Sequence, residues 1–186
     1  MIRAFVGIPL PGMVVSALTA AQAGLPAGRP VPPENFHISV AFLGEHPEPL
    51  VEDVHFALDR IRAPAFELTV SGLGFFGGDR PRVFYADVSP EPALSHLREK
   101  VLQAARGAGV RLDRARYSPH VTLARFNSGL KGDEAQKMRA FAVHRMGLRA
   151  GPFEVEEFVL YRSTLGRNGP TYEELAAYPL NGAGRP

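Results

Sequence analysis

Two short segments of the chain carry the same arrangement of a histidine and a hydroxyl residue. The segment HISVA contains His37 and Ser39, and the segment HVTLA contains His120 and Thr122. Of the six histidines, only these two are followed at the second position by Ser or Thr within an alternating aliphatic pattern. Because side chains two positions apart on a strand share a face, each segment should present an imidazole and a hydroxyl side by side.

These residue types suit acid–base chemistry at a phosphate group. An imidazole titrates near pH 6.5, so it can accept or donate a proton near neutrality. Two facing histidines can act in one displacement, one deprotonating water while the other protonates the departing oxygen. The hydroxyls and an arginine such as Arg125 would hold the non-bridging oxygens and stabilise charge in the transition state. The pattern predicts in-line hydrolysis of a phosphodiester without a metal.

Two other kinds of catalytic site find less support in the sequence. A catalytic zinc ion usually takes three protein ligands, but the chain has no cysteine and no H-E-x-x-H or Asp-rich motif. A serine nucleophile of the G-x-S-x-G type is not indicated, because that motif is also absent. We therefore predict neither a metal nor any other cofactor.

Length and composition favour one folded unit. The 186 residues suit a single compact domain, and without cysteine no disulfide can form. No run of about 18 apolar residues is present, so no transmembrane helix is expected. The net charge is only +2 and no long basic run occurs, which argues against non-specific wrapping of a long nucleic acid. We expect a cytoplasmic protein without a membrane partner, and a monomer.

Hydrophobic periodicity divides the chain into strands and helices. Strands are predicted at 2–8, 36–43, 66–76, 82–88, 117–126, 151–163 and 171–180, and helices at 12–25, 48–62, 90–109 and 133–146, with a loop at 26–35. Mixed strands and helices without regular βαβ alternation favour an α+β fold with largely antiparallel sheets. Each half contains one H-x-[Ser/Thr] strand, and no linker separates the halves. We therefore expect a single bilobal domain over residues 1–186.

The paired H-x-[Ser/Thr] strands resemble those of the two-histidine phosphodiesterase superfamily. More narrowly, the chain is similar to the bacterial and archaeal RNA 2′,3′-cyclic phosphodiesterases, which are also known as 2′-5′ RNA ligases. The similarity extends to RAFVGIPLP, NFHISVAFLG, GLGFFGGDRPRVFYADV, YSPHVTLARF and FVLYRSTLGRNGPTYEELAAYPL. It implies a bilobal fold with pseudo-twofold symmetry, in which two antiparallel sheets line a central groove and helices pack outside.

The resemblance also implies an activity and roles for the motif residues. The activity is opening of a 2′,3′-cyclic phosphate at an RNA 3′ end, or of a cyclic nucleotide, to a 2′-phosphate. His37 would be the proton donor, His120 the proton acceptor, and Ser39 and Thr122 the hydroxyls that contact the phosphate. The family more often has Thr at the first hydroxyl position, and Ser retains the donor. The residues themselves leave open which histidine is the acid.

Three further residues are candidates for substrate binding: Arg125, Phe42 and Tyr161. Strict alternation places Arg125 on the face opposite the second imidazole unless a β-bulge intervenes. The same alternation places Phe42 on a buried face, which favours a core role, and Ala41 and Ala124 on the imidazole faces. The aromatic rings of Phe42 and Tyr161 could otherwise stack against a base.

Two other functions stay open. A non-catalytic module would hold a nucleotide or an RNA end without turnover. Ligation through a 2′-5′ bond would be the same chemistry in reverse, with a 5′-hydroxyl in place of water. The natural RNA substrate is not indicated by the sequence.

Overall fold

Nine strands and four α-helices make up the part of the chain that the computed structural model describes, residues 1–112, 116–167 and 169–181. The end of the predicted domain, residues 182–186, lies outside the described residues. The strands are β1 (Ile2–Pro9), β2 (Arg29–Pro30), β3 (His37–His46), β4 (Phe66–Phe76), β5 (Val83–Val88), β6 (His120–Arg125), β7 (Arg149–Val155), β8 (Glu157–Gly166) and β9 (Gly169–Pro179). The helices are α1 (Gly12–Gln22), α2 (Glu48–Asp59), α3 (Pro92–Gly107) and α4 (Gly132–Val143).

The strands form two antiparallel sheets that interleave the two halves of the sequence. One sheet has the order β3-β1-β8-β9, and the other has the order β2-β6-β5-β4-β7. The β8–β9 hairpin near the end of the chain thus joins, through β1, the sheet that contains the strand beginning at His37. The β4–β5 hairpin from the first half joins the strand that begins at His120. This architecture confirms the predicted α+β fold with two antiparallel sheets.

The prediction of one long strand over 151–163 is wrong, because the chain changes sheets in the middle of this segment. Strand β7 belongs to the five-stranded sheet and β8 to the four-stranded sheet. Val155 and Phe158 are buried, whereas Glu156 and Glu157 between them are both exposed. Two consecutive exposed residues break the period of two that a continuous half-buried strand requires. The two glutamates therefore mark the crossover.

Helices cover the sheets and complete one continuous core. Helix α1 packs against β6 and β7, α2 against β1 and β9, and α3 against α2 and β3. The buried apolar side chains of both sheets form a single cluster, and Phe84 and Phe158 are among its largest fully buried members. In the described part of the chain, no helix combines the length and the apolar character that a membrane span requires.

The strand that begins at His120 contains a β-bulge directly after its hydroxyl residue. In the pairing of β6 with β5, Thr122 lies opposite Tyr85, and Ala124 lies opposite Phe84. Leu123 is therefore an extra residue without a partner on β5, and both Leu123 and Ala124 are fully buried. Since one extra residue shifts the alternation of side chains by one position, the face that each later residue occupies is reversed.

The strand that begins at His37 repeats this bulge at Val40. As a result, Ala41 and Ala124 lie in the buried core, and the prediction that they share the imidazole faces is wrong. Phe42 and Arg125 are turned instead to the face that carries the histidines, where both are exposed. The predicted core role of Phe42 is therefore also wrong.

A side chain from α1 holds the bulge in β6. The amide nitrogen Nε2 of Gln22 donates to the carbonyl oxygens of Leu123, at 2.7 Å, and Val31, at 2.8 Å. The backbone N–H of Val31 donates to the same Leu123 carbonyl at 2.8 Å. The carbonyl of the extra residue is thus satisfied by a helix and by the segment that follows β2.

We expect Gln22→Ala to destabilise the protein, because it removes two hydrogen bonds at the bulge. The free energy of unfolding, measured by urea denaturation, should fall by about 1–3 kcal/mol. Gln136→Ala, at an exposed position of α4, is the matched control and should change it by less than about 0.5 kcal/mol. Equal effects of the two substitutions would contradict a role for Gln22 in holding the bulge.

Candidate active site

The two H-x-[Ser/Thr] segments face one cavity of about 420 Å³. Its lining includes His37 and Ser39 from the four-stranded sheet and His120 and Thr122 from the five-stranded sheet. The fold therefore brings together residues that are more than 80 positions apart in the sequence. All four predicted motif residues meet at this place.

The imidazole of His37 is fixed by hydrogen bonds at both nitrogens. Its Nδ1–H donates to the Asn35 carbonyl at 2.8 Å, which leaves Nε2 to accept from the Ser39 hydroxyl at 3.0 Å. The ring also packs against Phe5, with centroids 4.7 Å apart, and edge-on against Tyr172 at 5.1 Å. The backbone bond thus selects the tautomer that has Nε2 available for proton transfer.

The imidazole of His120 is oriented by an equivalent backbone bond. Its Nδ1–H donates to the Ser118 carbonyl at 2.7 Å, again two residues earlier in the chain. The ring makes T-shaped contacts with Phe76 and Tyr85, with centroids 4.8 Å and 5.4 Å apart. Asp87 lies directly opposite His120 on β5. Both histidines are therefore held in the same tautomer, but only His120 has a carboxylate as its cross-strand neighbour.

Burial makes both imidazoles weaker bases than free histidine. It lowers the pKa of His37 from 6.5 to about 4, with smaller lowering effects from the charges of His120 and Arg125, while the bond to the Asn35 carbonyl acts in the opposite direction. Burial likewise lowers the pKa of His120, and Arg125 adds to this lowering, whereas the Ser118 carbonyl and the Asp87 carboxylate oppose it. At neutral pH both imidazoles are therefore mainly neutral.

Two residues outside the motifs hold the strands in place, and no periodic pattern singles them out in the sequence. Asn35 is buried, and its Nδ2 donates to the Pro170 carbonyl at 2.8 Å, so it ties the His37 strand to β9. The Tyr117 hydroxyl donates to the backbone carbonyl of Ser39 at 3.0 Å. Tyr117 thereby connects the segment before His120 directly to the first motif.

Three arginines give the cavity a positive charge. Arg3, Arg29 and Arg125 all line it, and among the described residues that line it none is Asp or Glu. The guanidinium of Arg3 lies over the ring of Phe42, 4.5 Å from its centroid. Only Arg125 was predicted, because it follows a motif, whereas Arg3 and Arg29 reach the cavity through the pairing of distant strands. A cavity lined by one sign of charge attracts an anionic ligand.

The two aromatic candidates have different positions. Phe42 lines the cavity and is 53 % exposed. Tyr161 is not among the described residues that line it, and its ring stacks on Phe5 at 5.0 Å. The Tyr161 ring is 6.3 Å from that of His37, so it packs near the imidazole, and its contact with substrate stays a prediction.

Among the described residues, no group of three or more His, Asp or Glu side chains is arranged to hold a metal ion.

We expect the buried His37 to make stability dependent on pH. The pKa of His37 is about 4 in the folded protein and near 6.5 in an unfolded chain, so the unfolded state binds more protons between these values. Above pH 6.5, His37 is neutral in both states and does not reduce the free energy of unfolding. As the pH falls from 6.5 to 4, the free energy of unfolding should decrease by about 2–3 kcal/mol because of this group. Urea denaturation at several pH values measures the loss.

The His37→Gln variant should show a shallower loss of stability over the same interval. His96→Gln, at an exposed position of α3, is the matched control and should follow the wild-type protein. Identical pH dependence in the wild type and His37→Gln would contradict the assignment of the effect to His37.

The sequence matches known proteins over most of its length. The family model described as the 2′-5′ RNA ligase superfamily matches residues 13–167. The RNA 2′,3′-cyclic phosphodiesterase of Geobacillus stearothermophilus is 34% identical over an alignment of 186 positions. The alignment covers 96% of this chain but only 57% of that protein. The protein of the same name from Aeropyrum pernix is 33% identical over 168 residues, or 89% of this chain and 93% of that protein.

Solved structures have the same fold. The crystal structure of TT0787 from Thermus thermophilus has a TM-score of 0.80 at 26% identity, and apo E. coli LigT has a TM-score of 0.78 at 26% identity. Each match covers 97% of this chain and 98% of the other. E. coli LigT complexed with 3′-AMP has a TM-score of 0.76, again at 26% identity, over 96% of this chain and 98% of that one. The chain therefore belongs to the 2′-5′ RNA ligase superfamily and, within it, to the family of the RNA 2′,3′-cyclic phosphodiesterases.

Proposed function

We propose that this protein hydrolyses the 2′,3′-cyclic phosphate at an RNA 3′ end to a 2′-phosphate, with two histidines as acid and base and without a metal. The observation that carries the proposal is the meeting of two imidazoles and two hydroxyls in one cavity that is lined by three arginines. The names of the relatives support the same activity. The complex of LigT with 3′-AMP supports a ligand with a phosphate on its ribose.

In this reaction a water oxygen attacks the phosphorus in line with the 3′ oxygen. His120 Nε2 takes a proton from the water, the bond from phosphorus to the 3′ oxygen breaks, and His37 Nε2–H protonates that oxygen. The products are a 2′-phosphate and a 3′-hydroxyl. The histidines return to their initial protonation states when His120 releases a proton to solvent and His37 takes up a proton from solvent.

The surroundings of the two histidines favour this division of roles. The Asp87 carboxylate raises the pKa of His120 against the effect of burial, which improves its imidazole as a proton acceptor. Burial gives His37 a pKa of about 4, so its protonated form is a strong acid. A bound phosphate supplies the negative charge that favours protonation of His37, because an opposite charge nearby stabilises the charged form.

The polar groups around the histidines would hold the phosphate. In the empty site the Ser39 hydroxyl donates to His37 Nε2. Once that nitrogen carries a proton, it no longer accepts, and the hydroxyl is free to donate to a phosphate oxygen, as Thr122 can from the other sheet. The fork of N–H donors on Arg125 suits two non-bridging oxygens. The half-exposed ring of Phe42 offers a face on which a nucleobase can stack.

Replacement of either histidine should abolish turnover while folding survives. We expect His37→Ala, His120→Ala and the corresponding Gln variants to lower kcat roughly 10²- to 10⁴-fold, because each removes a proton-transfer group. Hydrolysis of adenosine 2′,3′-cyclic phosphate with EDTA present throughout measures the effect, and phosphorus NMR identifies the phosphate monoester formed. His96→Ala, on the exposed surface of α3, is the matched control and should retain wild-type activity.

Three outcomes of this experiment would count against the proposal. Full activity of either variant at position 37 or 120 would exclude the two-histidine mechanism. Loss of wild-type activity in EDTA would exclude a metal-free reaction. Binding of the cyclic nucleotide without any product would favour the non-catalytic binding module.

The value of kcat/KM should pass through a maximum on the acidic side of neutrality. One imidazole must be neutral and the other protonated, so kcat/KM should be bell-shaped with its maximum midway between the two pKa values. Since burial lowers the pKa of both His37 and His120, that maximum should lie below pH 6.5. The bound phosphate anion raises both pKa values, so the maximum of kcat should lie at a higher pH. A profile that is flat from pH 5 to 8 would contradict the mechanism.

A further inference from the structure

Two cavity arginines lie directly opposite each other on neighbouring strands. Arg29 on β2 is paired with Arg125 on β6. Like charges at directly opposed positions destabilise a sheet. The ion pairs among the described residues join other side chains, Lys137 with Asp133 and Arg162 with Glu173, so within that part of the chain no carboxylate forms an ion pair with either arginine. Such a pair is suited to a ligand that carries more negative charge than one phosphodiester.

The two arginines have different neighbours in the cavity. The charge of Arg125 acts on both imidazoles. The guanidinium of Arg29 packs against the turn between β8 and β9. Its Nη2 atom lies 3.0 Å from the position that a Cβ atom would occupy at Gly169. Arg29 is therefore positioned by the turn between β8 and β9, which also lines the cavity.

Strand pairing sets the distance between the two arginines. Directly opposed residues on neighbouring strands have Cβ atoms about 4.5–5.5 Å apart, and both arginines line the cavity that contains His120. A phosphate bound by Arg125 and a second phosphate bound by Arg29 would therefore be close neighbours, as the phosphates on the two sides of one ribose are.

We propose that Arg29 binds the phosphate on the 5′ side of the terminal nucleotide. This inference rests on the proposed function and assigns a residue that would distinguish an RNA end from a cyclic mononucleotide. The enzyme would act preferentially on RNA ends, in which a phosphodiester precedes the terminal ribose, over cyclic mononucleotides that lack a 5′-phosphate. In the cavity, Arg125 would hold the cyclic phosphate while Arg29 holds the upstream phosphate.

The experiment compares two cyclic nucleotides that differ by a single phosphate. Adenosine 2′,3′-cyclic phosphate and its 5′-phosphorylated form have the same base and the same reacting group. We expect wild-type kcat/KM to be at least about tenfold higher for the 5′-phosphorylated form, as a hydrogen bond to a charged group implies. Arg29→Gln should reduce this ratio to near one, and Arg29→Lys should retain part of it.

The matched control removes the same charge elsewhere. Arg139→Gln, at an exposed position of α4 outside the cavity, should keep the wild-type ratio. A wild-type ratio near one, or a ratio that Arg29→Gln leaves unchanged, would overturn the assignment. The wild-type ratio should also decrease with added salt, and a ratio that does not respond to salt would contradict a charged contact.

A binding measurement separates failure of this inference from failure of the proposed function. Calorimetry with adenosine 2′-phosphate and adenosine 2′,5′-bisphosphate requires no turnover. Tighter binding of the bisphosphate by the wild type but not by Arg29→Gln supports the phosphate site, even if the cyclic nucleotides are not hydrolysed. Hydrolysis of both cyclic nucleotides without any preference in rate or in binding would leave the proposed function standing and exclude the site.

Discussion

The β-bulge that follows each H-x-[Ser/Thr] segment determines which side chains face the cavity. On a regular strand, Arg125 would point into the apolar core, where an unpaired charge is costly, and Ala124 would face the ligand. The extra residues Val40 and Leu123 reverse the alternation, so that a cation and an aromatic ring join the histidines. The hydrogen bond that Gln22 donates to the Leu123 carbonyl shows that helix α1, which lies outside the sheet, stabilises the bulge in β6.

Much of this arrangement could be predicted from the sequence, and the exceptions have physical causes. The period of two and the helical spacing identify most strands and helices, and the repeated motif identifies His37 and His120. Alternation fails at the bulges, because whether a residue is extra depends on the partner strand and not on the strand itself. It fails again at Glu156, where the chain changes sheets. Arg3 and Arg29 reach the site only through long-range strand pairing, which a local pattern does not contain. Asn35 lies two residues before His37, but its side-chain bond to Pro170 is likewise long-range.

The electrostatics of the site involve two opposed effects. Burial and aromatic packing hold the imidazoles rigidly, but they also disfavour the charged form that a proton donor requires. The arginines would increase this difficulty if the site stayed empty. An anionic ligand reverses both effects, since it compensates the arginines and stabilises an imidazolium. In the proposed reaction, the charged state of the two histidines is thereby coupled to the binding of substrate.

The pseudo-symmetric frame produces an asymmetric site through a few side chains. After each bulge the same position is occupied by Phe42 in one sheet and by Arg125 in the other, so one wall suits a base and the other a phosphate. The cross-strand neighbour of His120 is Asp87, whereas that of His37 is Pro9, which carries no charge. The two imidazoles are therefore not equivalent, because a carboxylate raises the pKa of His120 against the effect of burial, and the proposed division into acid and base rests on this asymmetry.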